Sequence, residues 1–243
     1  MNVWAITDTG MVRQQNQDAY RVEVLSPEQM LLILCDGMGG ARAGNVASEL
    51  AAQTFGDVIL NALQSAQQAD APDKLLEEAV AQANHVVCQR SFDDPGCMGM
   101  GTTLVAALVR DGVCHIANVG DSRAYAVSKE GIRRVTRDHS LVEDLVQRGE
   151  ITPEQARNHP QKNLITRALG VETGTKADLF TESCKPGSFL LLCSDGLSNV
   201  VTDQEILYEV IHGGEPSDCC KRLLDITLSR GAPDNVTVVL LQM

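Results

Sequence analysis

The stretch TTLVAALVRDGVCHIANVGDSRAYAV, residues 102–127, decides the fold. It reads as three strand-length runs, 102–109, 113–119 and 122–127, joined by Arg110-Asp111-Gly112 and Gly120-Asp121. Asp-Gly between β-favouring runs is a strong hairpin signal, because both turn residues must accept positive φ. Three successive strands on tight turns predict antiparallel pairing.

Working outward, residues 3–7, 19–25 and 31–35 read as strands before this block. A helix is predicted from about 44 to 68, where Val46, Ala47, Leu50, Ala51, Val58, Ile59, Ala62 and Leu63 recur at three- and four-residue steps. A second opens after Pro72, with Leu75, Leu76, Ala79, Val80, Ala83, Val86 and Val87 as its apolar stripe. Downstream, Ser140-Leu141-Val142-Glu143 and Thr152-Pro153-Glu154-Gln155 both fit capping boxes, so 140–158 should hold two short helices on a polar surface excursion. Runs 189–193 and 236–241 return to strand character. Between them Thr202-Asp203-Gln204-Glu205 caps one helix, and Pro216 starts another that Gly231 and Pro233 end. Strands, paired helices, antiparallel strands and helices again predict an α+β sandwich rather than a doubly wound sheet. With no linker or repeat to divide it, the chain reads as one domain, 1–243.

Of the 243 residues, 44% are hydrophobic, 21% charged and 3% aromatic, which excludes a disordered or collagen-like chain. The longest apolar runs are strand-sized, so no membrane span is expected. The first eight residues show no basic region followed by an apolar one, so we expect no signal peptide and a cytoplasmic protein. Thirty-two acids against 20 Lys and Arg leave a net charge of −12, which disfavours nucleic acid and anionic lipid as partners. The eight cysteines contain no C-x-x-C pair, and Cys35, Cys114 and Cys193 lie inside apolar runs. Reduced thiols in the core are expected rather than bridges or a zinc site.

The acidic surplus has a pattern. Asp36-Gly37, Gly120-Asp121, Asp195-Gly196 and Asp234-Asn235 are read as acids just outside the C-terminal end of an apolar run. A rigid strand would then hold each carboxylate at the rim, as hard cations require. Any one Asp-Gly marks only a turn. Two strand-Asp-Gly units, 32–37 and 191–196, should place two acids at adjacent strand ends, where they would repel without a cation. Gly37-Met38-Gly39-Gly40 lacks the Lys-Ser/Thr of a P-loop, so a tight turn offering the Gly37 carbonyl to a metal fits better than a phosphate cradle.

Together, Thr7-Asp8-Thr9-Gly10 with Arg13 and Asn16-Gln17-Asp18, then Asp36-Gly37-Met38-Gly39-Gly40, Gly99-Met100-Gly101-Thr102-Thr103, Val119-Gly120-Asp121-Ser122-Arg123, Ser194-Asp195-Gly196 and Asp234-Asn235-Val236-Thr237 resemble the ordered motifs of metal-dependent serine/threonine protein phosphatases of type 2C, best in their bacterial branch. The resemblance implies a β-sandwich flanked by helix pairs on both faces, in α-β-β-α layers, with two Mn²⁺ or Mg²⁺ ions at one end. Position by position, it implies that Asp36 bridges the metals, that the Gly37 carbonyl binds one and that Asp195 and Asp234 bind the other. Asp18 sits beside them through water, and Asp121 with Asp195 marks a third, weaker site. A water or hydroxide shared by two such ions would attack phosphorus in line, and Arg13 would clamp the phosphate oxygens with its planar fork. The implied substrates are phosphoserine and phosphothreonine in proteins, including a bacterial Ser/Thr kinase and its targets, and we expect a monomer.

This chain departs from the family at three places. Gln17 stands where some members use Glu as a ligand, Met38 where many eukaryotic members have a His proposed as general acid, and Asn199 where some place an acid of the third site. His139 is taken as structural, before the Ser140 cap. Residues 145–170 resemble the flap over the cleft, and Arg148, Glu150, Glu154, Arg157 and Lys162 within it read as solvated. Two competing readings are a phosphoprotein-binding scaffold of the same fold without turnover, and a metal-dependent phosphodiesterase or nuclease.

Overall fold

Strands apolar on both faces need cover on both sides, and the chain supplies it in four layers. The computed structural model describes residues 1–64 and 71–243. In chain order, β1 (Asn2–Asp8), β2 (Asp18–Ser26) and β3 (Gln29–Met38) lead into α1 (Gly40–Gln64) and α2 (Pro72–Asp93). There follow β4 (Gly101–Thr102), β5 (Leu104–Arg110), β6 (Val113–Val119), β7 (Arg123–Ser128) and β8 (Gly131–Arg134). The excursion holds α3 (Leu141–Gln147) and α4 (Pro153–Arg157), and β9 (Asp178–Ser183) and β10 (Phe189–Cys193) come next. The chain ends with α5 (Asp195–Ser198), α6 (Asp203–Ile211), α7 (Cys219–Ser229) and β11 (Val236–Gln242).

One sheet runs β1-β11-β10-β7-β8 and the other β2-β3-β5-β6-β9, with β4 pairing on β3. Every pairing is antiparallel, as the hairpin reading requires. Alternation divides the side chains cleanly. Leu32, Leu34, Val105, Ala107, Ile116, Leu190, Leu192 and Val239 fill the space between the sheets. Leu31, Ile33, Ala106 and Leu108 turn outward under α1 and α2, while Leu191, Val238 and Leu240 turn outward under α6 and α7. The α-β-β-α order therefore follows from strands buried on both faces. Truncating one such side chain, Leu32→Ala for example, costs roughly 2–5 kcal/mol.

Asp111 and Gly112 take φ of 53° and 75°, the two positive values that the predicted turn demands. The first long helix starts four residues earlier than predicted, and the expected positions 65–68 lie outside the described residues. The run 102–109 divides at Thr103 into β4 and β5. Thr152 and Thr202 form complete capping boxes, but Ser140 forms half of one. The carboxylate that should complete it, Glu143, bonds Arg134 at 2.8 Å instead. Pro216 opens a 3₁₀ turn, Pro216–Asp218, before α7. Strands β8 and β9 carry too many polar residues to be predicted, as edge strands commonly do. Among the described residues, no helix is long and apolar enough to cross a membrane.

Candidate metal centre

Five acids meet at one end of the sandwich. Asp18 opens β2 and lies in register with Asp36 on β3, while Asp121 follows β6, all on one sheet. Asp195 follows β10 and opens α5 on the opposing sheet, and Asp234 precedes β11. Two expectations are corrected here. Asp36 and Asp195 face each other from different sheets rather than from adjacent strands, since β3 neighbours β2 and β5 while β10 neighbours β11 and β7. Asp234 stands before its strand, because β11 runs antiparallel to β10 and so brings its N-terminal end to the same rim.

Asp36 is fixed through its backbone. Its N–H donates to Thr103 Oγ1 at 2.9 Å, and its carbonyl accepts from Thr102 Oγ1 and the Thr103 N–H at 2.9 Å each. Thr103 Oγ1 in turn contacts Ser122 Oγ at 2.7 Å. Gly37 donates its N–H to the Gln17 carbonyl at 3.0 Å. A Cβ there would stand 2.0 Å from the Gly44 carbonyl oxygen, so α1 approaches this turn closer than any side chain permits.

Asp18 is buried, and its Oδ2 accepts from Ser194 Oγ at 2.8 Å and Thr237 Oγ1 at 2.6 Å, one hydroxyl from each neighbouring strand of the other sheet. Its Oδ1 is buried with no hydrogen-bond partner among the described residues. Burial is the main reason that its carboxyl is pushed up to about 7, against the pull of the two hydroxyls. Burial likewise raises Asp121 to about 8, helped by the charges of Asp195 and Asp138, and Asp195 to about 6, helped by Asp234. Asp36 is raised well above the carboxylate range by burial and then by Asp18 and Asp195. The Asp36 and Asp195 carboxyls act on each other directly, and two such charges need a shared proton or a cation between them.

The loop before β2 completes the rim. Asn235 Nδ2 donates to the carbonyls of Thr9 and Gln15 at 2.9 and 3.0 Å, and its Oδ1 accepts the Gln17 N–H at 2.8 Å. Gly10, at φ +76°, lets this loop pass the Asp234 carbonyl, which a Cβ would meet at 2.2 Å. Arg13 lies at this rim and pairs with one of its acids. Its Nη2 donates to Asp234 Oδ2 at 2.7 Å, because the acid is the nearest counter-charge to an otherwise half-exposed guanidinium. Asn199 stands where a third-site acid was sought, and its Nδ2 donates to Asp195 Oδ2 at 3.0 Å.

A cleft of about 700 Å³ opens over Asp36, Gly37, Asp121, Asp195 and Asp234, with Arg13, Gln17 and Met38 on its walls. A neighbouring cleft of about 670 Å³ shares Asp121 and Asp195 and runs under the excursion, where Arg157 and Lys162 line it. His139 ties the two regions together. Its Nδ1 accepts the Gly120 N–H at 3.0 Å, its N–H donates to the Gly120 carbonyl, and its own carbonyl accepts from Thr166. That fixes the proton on Nε2, which faces Asp178 Oδ2 at 3.2 Å. Thr103, Ser194, Thr237 and Asn235 lay inside the quoted motifs, but nothing in their spacing marked them as supports for Asp36 and Asp18.

The arrangement suits hard divalent cations. Its donors are carboxylate and carbonyl oxygens, several acids are crowded at one rim, and one buried carboxylate oxygen has no hydrogen-bond partner among the described residues. Among the described residues no three Asp, Glu, His or Cys side chains already form a closed ligand set for one ion. Arg13 donates to Asp234 Oδ2 through one nitrogen, so ligation there would share that carboxylate between the guanidinium and a cation.

A family profile described as Protein phosphatase 2C matches residues 11–217. The chain is 39% identical to the serine/threonine phosphatase stp of Listeria monocytogenes over 239 residues, covering 97% of this chain and 93% of that one. The crystal structure of serine/threonine phosphatase Stp1 from Staphylococcus aureus superposes with a TM-score of 0.91 at 38% identity, covering 99% of this chain and 94% of that one. The catalytic domain of the serine/threonine protein phosphatase PstP, crystallised with two manganese ions, gives a TM-score of 0.83 at 35% identity over 98% of this chain and 96% of that one.

Proposed function

The chain belongs to the protein phosphatase 2C family and is a metal-dependent serine/threonine protein phosphatase, and we propose that Asp36, the Gly37 carbonyl, Asp195 and Asp234 hold its two divalent cations, Mn²⁺ or Mg²⁺. Such a pair, when bound, lowers the pKa of a shared water and draws charge from the phosphoryl oxygens. The rest of the work falls to the chain. Asp36 lies between the acids of both sheets and is held rigid by Thr102 and Thr103. Asp18 stands behind it, oriented by Ser194 and Thr237, with Oδ1 free to accept a hydrogen bond from water at the site. Arg13 engages Asp234 through one nitrogen and can offer the remaining donors of its planar fork to a phosphate dianion, offsetting the acidic rim. Met38 offers no titratable proton, so it takes no part in protonating the leaving alkoxide.

A third ion would use Asp121 and Asp195, with the Asn199 amide on Asp195 Oδ2 in place of a further acid. We read residues 1–243 as a single domain, since β1 and β11 pair from Asn2↔Gln242 to Asp8↔Val236 and close one sheet with both chain ends. The flap is the stretch 145–170, above the second cleft. The substrates are phosphorylated proteins, among them a Ser/Thr kinase and its targets in the cytoplasm, met by a monomeric enzyme.

The observation that carries this assignment is the meeting of acids from two sheets around a buried carboxylate oxygen with no partner. Phosphate release from a phosphothreonine peptide, measured with and without Mn²⁺ for the wild type and Asp195→Asn, tests it. Release that needs Mn²⁺ and disappears in the variant, with an unchanged thermal melt, is expected. A folded wild-type protein releasing nothing with either metal would leave the phosphoprotein-binding scaffold, and a phosphodiester cleaved faster than the peptide would favour the nuclease reading.

A further inference from the structure

The edge strand β9 and its neighbour β6 bring one pair of cysteines together. Cys114 sits near the start of β6, fully buried between the sheets, and Cys184 follows directly on the last residue of β9. Val113 pairs with Ser183 and Cys114 with Glu182, so the two cysteines lie diagonally across the β6–β9 ladder with their side chains on the same, inward face. Their sulfurs are 3.3 Å apart. Among the described residues no other two thiols touch. Cys35, Cys193 and Cys219 are fully buried, and Cys88, though partly exposed, points its thiol at Asn84 and the Glu172 carbonyl.

We propose that Cys114 and Cys184 form a redox-active thiol pair that a hydroperoxide converts to an intramolecular disulfide, a modification site separate from the metal centre. Cys184 is the attacking half on three counts. It is the partly exposed member, so peroxide can reach it. It lies just beyond an edge strand, held by its N–H to the Gly112 carbonyl at 2.9 Å, so its side chain can close the gap from 3.3 Å to the roughly 2.05 Å of a bond while Cys114 stays fixed in β6. The hydrogen bond from the Cys114 thiol lowers the Cys184 pKa, and the thiolate is the nucleophilic form.

The chemistry closes in two steps. The Cys184 thiolate attacks one peroxide oxygen, the O–O bond breaks, and the departing alkoxide or hydroxide takes up a proton, leaving a sulfenic acid. The Cys114 sulfur then attacks the Cys184 sulfur, the S–O bond breaks, and the hydroxyl leaves with the Cys114 proton as water. Two thiols and one hydroperoxide give one disulfide, one alcohol or water and one further water, with two electrons passing from sulfur to the peroxide oxygens. The bridge spans 70 residues of chain, a loop that contains the flap and both ends of the His139 tie. It also pins β9, whose first residue, Asp178, faces that histidine. Because β6 and β9 are already in register there, oxidation should raise stability with little change at the metal site.

The test treats the intact protein with stoichiometric hydrogen peroxide, then maps peptides without reduction and records melting temperatures. The expected result is a loss of two hydrogens in a linked peptide pair containing Cys114 and Cys184, reversed by dithiothreitol. It should come with a rise in melting temperature on the order of 5–10 °C, the size expected from closing a loop of this length in the unfolded chain. Cys184→Ser should show neither change, and since the peptide map is read on the wild type, a poorly folding variant does not spoil it. A bridge between other cysteines, oxygen added to Cys184 without a bridge, or no modification at all would each overturn the proposal.

Discussion

Replacing Asp18 with Asn should stabilise the metal-free protein at alkaline pH and, in the same protein, weaken the stabilisation that Mn²⁺ provides. The carboxyl of Asp18 is pushed from 3.8 up to about 7 by burial, with two hydroxyls on Oδ2 and nothing on Oδ1. A raised carboxyl pKa means that the folded chain keeps a proton which the unfolded chain has released. The stability tied to that proton is therefore complete below pH ~4 and lost as pH rises through about 7. At 1.36 kcal/mol per unit, a shift of this size is worth about 4 kcal/mol. For a chain of this length that corresponds to a fall in melting temperature on the order of 10 °C between pH 4 and 8. Asparagine has the same shape, keeps an oxygen for Ser194 and Thr237, and has no charge to desolvate. Thermal unfolding in EDTA from pH 4 to 8 should thus show Asp18→Asn gaining on the wild type as pH rises, and a repeat in Mn²⁺ should narrow or reverse the gap. Asp36, Asp121 and Asp195 titrate in both proteins and give both curves the same sign of slope. A variant less stable than the wild type at pH 8 without metal would falsify this account of the buried carboxylate.

Three further outcomes follow from single contacts. Gly37→Ala places a Cβ 2.0 Å from the Gly44 carbonyl and 2.7 Å from that of Gln17, both backbone atoms, so denaturant unfolding should show a loss of at least about 2 kcal/mol. Wild-type stability in that variant would mean that the turn does not pack against α1 as described. Arg13→Ala should raise KM for a phosphothreonine peptide roughly 10–100-fold, the value of a hydrogen bond to a charged group, with Arg13→Lys recovering only part of it. An unchanged KM would confine Arg13 to its ion pair with Asp234. His139→Ala leaves the Gly120 N–H without its acceptor, and should cost about 1–3 kcal/mol in chemical denaturation and lower kcat. If stability and kcat both stay at wild-type values, the histidine does not tie the Asp121 turn to the flap.

The fold was legible where local rules decide. Asp111-Gly112 fixed a hairpin because two consecutive positive φ angles leave few residues to choose from, and the buried strands announced themselves as unbroken apolar runs. Strands β8 and β9 escaped because an edge strand owes its place to a neighbour's hydrogen bonds rather than to its own composition. Arg133 and Glu182, which pair across from one edge strand to the other, look like loop residues in sequence. The half-formed box at Ser140 shows the same limit. Glu143 had the right spacing to close it, but Arg134, nine residues away in sequence, offers a full charge and wins the carboxylate.

The acids illustrate why a site can be listed from sequence and still be misarranged. Motif order gives the members but says nothing of which sheet each belongs to, and Asp36 and Asp195 belong to opposite ones. That difference changes what the centre does for the fold. Between the sheets the contact is apolar and self-sufficient, built from Leu32, Leu34, Leu190, Leu192 and their neighbours. At the rim the same two sheets present carboxylates to each other, and their mutual repulsion acts to part them. Asp18 reaches across with hydrogen bonds from two neutral hydroxyls, Ser194 and Thr237, and it does so at the cost of leaving one oxygen bare. A divalent cation at Asp36 and Asp195 would therefore act as a tie between the sheets as well as a catalyst, and the rim should be the first part of the sandwich to open when the metal is withdrawn. Hydrogen exchange should show this as faster exchange at Gly37, Thr103 and Ser194 in EDTA than in Mn²⁺, while the amides of Leu32 and Leu192, deep in the inter-sheet core, keep their protection.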